Sequence, residues 1–212
     1  MTRVAILGAG TFAVELLEAI ELGGVYEPVG FVVSEESFLA RPRHCGLPVV
    51  TAAQMPWAAA DTLAIAGIVS TTRRGFIDAI RARGFRFATV CHPSATISPR
   101  ATIGAGTFVG AGVIIASQTQ VQEHVVINRG ANVGHDVTIE SFTTVGPGAT
   151  MAGGVVIESG AYVGIGAVVR DHVRIGSGAL VAAGALVVKS VPSRVMVIGA
   201  PARVVKEGVD GL

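Results

Sequence analysis

The sequence predicts an α/β domain over residues 1–92, followed over 93–212 by an all-β parallel helix with a short C-terminal tail. Three observations predict this. An aliphatic residue recurs every six positions at Ile97, Ile103, Val109, Ile115, Val121, Ile127, Val133, Ile139, Val145, Met151, Ile157, Val163, Val169, Ile175, Val181 and Val187. Two residues before each of these sixteen stands Ala, Thr or Val. Before residue 90 the pattern is different: short apolar runs alternate with helical stretches, and the first run ends in Gly8-Ala9-Gly10.

The first part reads as strand, turn and helix in alternation. Arg3–Leu7 is a short apolar strand, and a helix runs from about Thr11 to Leu22. Val29–Val33 is a second strand, and Val49–Val50 a third with a helix start near Thr51. Leu63–Ile68 is a buried strand. Thr72–Arg83 is an amphipathic helix with Phe76, Ile77 and Ile80 inward and Gly84 at its C-cap. Phe87–Val90 is a last strand. This is the βαβ grammar of a Rossmann-like open parallel sheet.

A period of six fits neither an α-helix nor a lone strand. It fits a parallel β-helix in which each hexad makes one flat face. Three hexads close a triangular coil, so equivalent residues on adjacent coils are 18 apart in sequence. Sixteen hexads make about five coils, or roughly 25 Å of prism at the strand spacing. The aliphatic column and the small residue two places earlier both point inward. Gly is frequent three places after the aliphatic residue, where a corner needs positive φ. The outer faces carry few charges, which favours three prisms side by side.

Composition narrows the function. Charged residues are 15% of the chain, the formal net charge is +1, and no basic stripe is present, so no nucleic-acid partner is expected. The longest uncharged stretch, 101–122, is rich in Gly, Thr, Ser and Gln and keeps the hexad period, so no membrane insertion is expected. The opening MTRVAILGAG ends in a βα turn and reads as no signal peptide. Cys45 and Cys91 lack metal-like spacing and are expected to be free, mostly buried thiols of a cytoplasmic protein.

The hexads ATIGAG, TFVGAG, ANVGHD, TTVGPG, AYVGIG, VRIGSG and ALVAAG are similar to those of left-handed β-helix acyltransferases. The GAG turn, CHPSATI, GHDVTIESFTTVGPGATMAGG and the closing VIGAPARVVK extend the likeness over the whole chain. Together they resemble the bacterial sugar O-/N-acetyltransferases of the sialic acid O-acetyltransferase and UDP-amino-sugar N-acetyltransferase type. The resemblance implies a left-handed coil, a homotrimer, and acetyl transfer from acetyl-CoA to an amine or hydroxyl of a sugar.

The resemblance also implies roles for particular residues. His135 is the general base, as an imidazole titrating near neutral pH suits proton removal in acyl transfer. Asp136 hydrogen-bonds that imidazole, and Gly153, 18 residues on, offers a backbone N–H to the oxyanion. Thr144, Ile165 and Ala183, with Gly153, match positions lining the coenzyme A groove, although relatives often carry His where Thr144 stands. Gly8, Ala9 and Gly10 form a turn where backbone approaches phosphate at a helix N-terminus. With Thr11, Phe12, Ser34 and Glu35 they are the candidate sugar-nucleotide residues. Relatives often have Gly-His in place of Thr11-Phe12, and acidic or amide residues in place of Ser34-Glu35.

The leading expectation is N-acetylation of a nucleotide-linked sugar. O-acetylation of sialic acid or another glycan precursor stands close behind. A non-catalytic trimeric sugar-binding scaffold would leave His135 and Asp136 idle. Zinc hydration chemistry of the γ-carbonic anhydrase kind needs converging histidines, and His124, His135 and His172 lack the close pair, so no metal is expected. An NAD-linked dehydrogenase is disfavoured because Gly10-Thr11-Phe12-Ala13 has no third glycine. His124 and His172 are expected as surface corner residues.

Overall fold

The computed structural model describes residues 1–34 and 43–212. Its first part contains β1 (Thr2–Leu7), α1 (Thr11–Gly23), β2 (Tyr26–Val33), β3 (Arg43–His44), β4 (Leu47–Thr51), β5 (Thr62–Ala66) and α2 (Arg74–Ala82). The sheet order is β3-β4-β2-β1-β5, parallel except for the β3–β4 hairpin. Successive strand residues face opposite sides. In β1, Val4 and Ile6 therefore pack with Leu16 and Ile20 of α1, while Ala5 and Leu7 pack with Ile77 and Ile80 of α2. Helix α1 buries Ala13, Leu16, Leu17 and Ile20, a stripe at helical spacing. Gly24 ends it in the left-handed region at φ 63°, its N–H on Ile20 O.

Two expected elements differ. No helix starts at Thr51: the Gln54 N–H bonds to both the carbonyl and the hydroxyl of Thr51, closing a turn, and Pro56 disfavours a helical conformation at Met55. Phe87–Val90 is not a strand of the first sheet. Phe87 makes a single bridge to Ala64, and Val90–Cys91 pairs instead with Phe108–Val109. The chain therefore joins the second sheet system before Pro93. Both cysteines are exposed rather than buried, Cys45 in the β3–β4 turn and Cys91 at this joint.

The second part is a three-sided parallel β-solenoid of two-residue strands. Partners are 18 residues apart, as in Ile115, Val133 and Met151. The aliphatic column and the small residues before it form one continuous core. Nine corner glycines have φ between 63° and 73°. Gln118, His124, Asp136, Phe142 and His172 occupy the same kind of corner slot, also at positive φ.

The three faces differ outward. One is covered by the first part: Phe108, Val126 and Thr144 point out of it and are buried. The next is apolar and open, with Ile114 (47% exposed), Val168 (44%) and Leu186 (37%) among Thr96, Asn132 and Thr150. The third carries Thr102, Gln120, Thr138, Val156 and Arg174. A hairpin of Val195–Gly199 and Ala202–Glu207 extends the covered face. The last residues return to the first part, where Leu212 O accepts from Thr71 N at 2.8 Å. Among the described residues no helix is long and apolar enough to cross a membrane.

Candidate active site

The corner between the open apolar face and the third face carries His135 and Asp136. Asp136 sits at φ 56°, a conformation that Asp tolerates better than most residues. This turns its carboxylate back onto the neighbouring ring, where Oδ2 lies 2.7 Å from His135 Nδ1. That contact directs Nε2 outward as the free nitrogen. The ring leans over the next coil: a methyl group in place of a Gly153 hydrogen would lie 2.5 Å from His135 Cε1 and 2.6 Å from Nε2. The Gly153 N–H makes no hydrogen bond among the described residues, whereas Gly154 N–H is held by His135 O at 2.9 Å. An imidazole, its carboxylate partner and an unspent backbone donor thus converge on one exposed corner. His172 occupies this corner two coils beyond Asp136 and approaches Gly154, in the coil between, from the other side.

Ile165 and Ala183 lie together at the opposite edge of the apolar face, both exposed. They flank a corner column of Gly112, Gly130, Gly148, Gly166 and Gly184, from which no side chain projects. An extended ligand or a neighbouring chain can approach that backbone closely. Thr144 departs from its expected place. It is fully buried under the first part, its hydroxyl accepting from Arg73 and donating to Val69 O. It faces no groove, because its strand lies on the covered side.

A cavity of about 640 Å³ opens at the carboxyl ends of β1, β2 and β5. Open parallel sheets bind ligands there, where the strand order reverses. Gly8, Ala9, Gly10 and Ser34 line it, with Ile68 and Phe76 opposite. Gly8 has φ 97°, and a β-carbon on it would meet Ile68 Cγ1 at 2.9 Å. Gly10 caps α1 without a side chain, leaving the helix's first N–H groups toward the cavity side. Thr11 is exposed at the start of α1 outside this lining. Phe12 packs edge-on against Phe108, ring centroids 5.4 Å apart, and joins the two parts instead. Glu35 lies outside the described residues.

The joint between the two parts has no counterpart in the expected elements. His124, expected on the surface, is buried between Phe87 (4.6 Å, edge-on) and Phe142 (5.2 Å, stacked). Arg81 donates to its Nε2 at 2.6 Å, and Arg74 lies over the Phe142 ring. Burial, then the nearby Arg81 and Arg73 charges, push the His124 pKa down to about 4. The signal for this was present: a histidine and a phenylalanine stand at positive φ in a column where Gly106, Gly160 and Gly178 hold the equivalent places.

No protein-family model matches the chain, and no curated protein does. Solved structures do. PerB from Caulobacter crescentus, in complex with CoA and GDP-perosamine, is 31% identical with a TM-score of 0.85, over 96% of this chain and 97% of that one. The acetyltransferase domain of PglB from Neisseria gonorrhoeae, in complex with acetyl coenzyme A, is 27% identical with a TM-score of 0.87, over 96% and 99%. WeeI from Acinetobacter baumannii is 26% identical with a TM-score of 0.87, over 96% and 100%.

Proposed function

This chain belongs to the bacterial sugar acetyltransferases built on hexapeptide repeats, and we propose that it acetylates an amino group of a nucleotide-linked sugar. It is an acyltransferase whose acetyl donor is acetyl-CoA. The observation that carries the reading is the His135 corner, with Asp136 on Nδ1 and the ring laid over Gly153.

The corner supplies what the reaction needs. As the acceptor nitrogen bonds to the thioester carbonyl carbon, His135 Nε2 takes a proton from that nitrogen. Asp136 holds the ring in the tautomer that leaves Nε2 able to accept, and stabilises the imidazolium. The Gly153 N–H points its donor at the oxygen that gains negative charge. When the carbon–sulfur bond breaks, His135 returns the proton to the departing thiolate. Atoms and charge balance without a further reactant.

Ile165 and Ala183 contribute an exposed apolar edge beside a side-chain-free corner, which suits an extended coenzyme. In one chain they stand a full face away from His135 and Gly153. Two prisms side by side close a groove that holds both sets, and the open apolar face is the surface for that packing. This supports a homotrimer with three such grooves in a left-handed β-helix assembly. The cavity at Gly8–Gly10 and Ser34 takes the nucleotide, its diphosphate at the N-terminus of α1. An amino acceptor is favoured over a hydroxyl because a relative 31% identical was solved with GDP-perosamine.

The test is a thiol-release assay with acetyl-CoA against UDP-, GDP- and dTDP-linked amino sugars and the free sugars. Turnover with a nucleotide-linked amino sugar is expected. Turnover confined to free sialic acid or hydroxyl acceptors would transfer the assignment to O-acetylation, and silence throughout would leave a binding scaffold.

A further inference from the structure

We propose that Arg73 is a positioning residue, locking the wall of the nucleotide cavity to the solenoid coil that carries His135. The inference rests on the nucleotide-sugar reading above. Arg73 is 2% exposed and closes the 3-10 turn Thr71–Arg73 that leads into α2. Its Nη1 donates to Val69 O at 3.1 Å, Ser70 O at 3.0 Å and Thr144 Oγ1 at 2.8 Å. Its Nη2 donates to His124 O and Thr143 O, both at 2.8 Å. One planar fork thus ties its own turn to two neighbouring coils. No carboxylate pairs with it among the described residues.

The coil it grips is the one that matters. Thr143 and Thr144 follow His135 by eight and nine residues, across the single strand Thr138–Ile139. That strand is held in register on both sides, by Gln120–Val121 and by Val156–Ile157. On the other side, Thr72, Arg73, Gly75, Phe76 and Ala79 line the cavity. The path from the nucleotide to the base within one chain is therefore one guanidinium and one strand of a rigid coil.

Adhesion alone does not require this residue. Phe12, Phe108 and Val126 already join the two parts through apolar contact. Burying a guanidinium without a counter-ion is costly until its hydrogen bonds offset the lost hydration. What the fork adds is direction, since five donors in a rigid plane fix orientation as an apolar contact does not. Burial lowers the Arg73 pKa to about 9, so the group still holds its charge at neutral pH.

The variants are Arg73→Met, Arg73→Lys and Thr144→Val in the full chain. Each is assayed with the best nucleotide-linked amino sugar of the UDP, GDP and dTDP panel. Rates are normalised to coenzyme A-binding sites counted by calorimetry. A displacement on the ångström scale costs on the order of 10²-fold in turnover. Arg73→Met should therefore lose roughly 10²-fold in kcat per site with the acetyl-CoA KM held, with partial rescue by Lys. Thr144→Val, which removes one acceptor, should fall between wild type and Arg73→Met. A merely structural role lowers the number of binding sites and leaves the rate per site. That result, or wild-type turnover per site in all three variants, overturns the inference. If Arg73→Met does not fold, the Lys and Val variants decide by the same comparison. Wild-type silence across the panel overturns the nucleotide-sugar reading as well, whereas an active wild type with indifferent variants overturns this inference alone.

Discussion

The imidazole of His135 occupies the space that a side chain on Gly153 would need, with Cε1 2.5 Å and Nε2 2.6 Å from the position of its first carbon. Gly153 does not have positive φ, unlike Gly154 at 68°, so an alanine there meets no backbone strain. The methyl group displaces only an exposed ring. Gly153→Ala should lower turnover roughly 10²-fold while the melting temperature stays within about 2 °C. Calorimetry and the thiol-release assay on one preparation check this. Normal turnover would show that the ring position is irrelevant to the chemistry.

His135→Ala should lower turnover by at least roughly 10²-fold with the assembly unchanged. Asp136→Asn keeps a side chain that tolerates the corner, yet releases the tautomer that directs Nε2 outward. It should lower turnover while sparing the melting temperature. Steady-state kinetics beside light scattering separate the two effects. A His135→Ala enzyme with near-normal turnover would remove the base from the mechanism.

The legible part of this chain is the part with a period. Once three hexads make a coil, an 18-residue spacing alone brings Gly153 under His135. The same ruler put Thr144 on a face but could not reveal which face the first part of the chain covers. That depends on Arg73 meeting residues 51 to 71 positions away, a contact with no local pattern. His124 and Phe142 broke the glycine habit of their corner, and the break marked the joint. The helix expected at Thr51 failed for a local reason, the Thr51–Gln54 turn ahead of Pro56.

Ile114, Val168 and Leu186 share the open apolar face, and Ile165 and Ala183, the proposed coenzyme positions, lie at its edge. A charge on this face opposes packing of a second prism. Val168→Glu should take the proposed trimer to monomer by light scattering and abolish turnover, with its far-ultraviolet spectrum kept. An active Val168→Glu monomer would show that each chain completes its own site.

The three histidines that could be suspected of metal binding do not converge. His135 and His172 share one corner, while His124 is buried at another under Phe87 and Phe142. Dialysis against EDTA should leave turnover within about 20% of the untreated enzyme, and added zinc should not raise it. Loss on chelation with recovery on zinc would reopen hydration chemistry.

Burial makes His124 a source of acid sensitivity. Its pKa falls from 6.5 to about 4 on folding, chiefly by desolvation, with Arg81 and Arg73 lowering it further and Asp78 opposing them. Glu123, paired with Arg81 at 3.5 Å, and Arg74, over the Phe142 ring, are further charges at the joint. Between those pH values the unfolded chain binds a proton that the folded chain refuses. Stability is therefore full above about pH 6.5, falls as pH drops toward 4, and loses nothing further to this group below that. The loss is on the order of 3–4 kcal/mol, since the pKa falls from 6.5 to about 4 and each tenfold change in proton affinity corresponds to about 1.4 kcal/mol. Carboxylates titrate in the same range, so the measurement is a difference. Urea unfolding at pH 7 and pH 4.5 should show a steeper loss for the wild type than for His124→Asn, which tolerates the corner conformation and does not titrate. Equal losses in the two proteins would mean that His124 is protonated in the folded chain and that solvent reaches the joint.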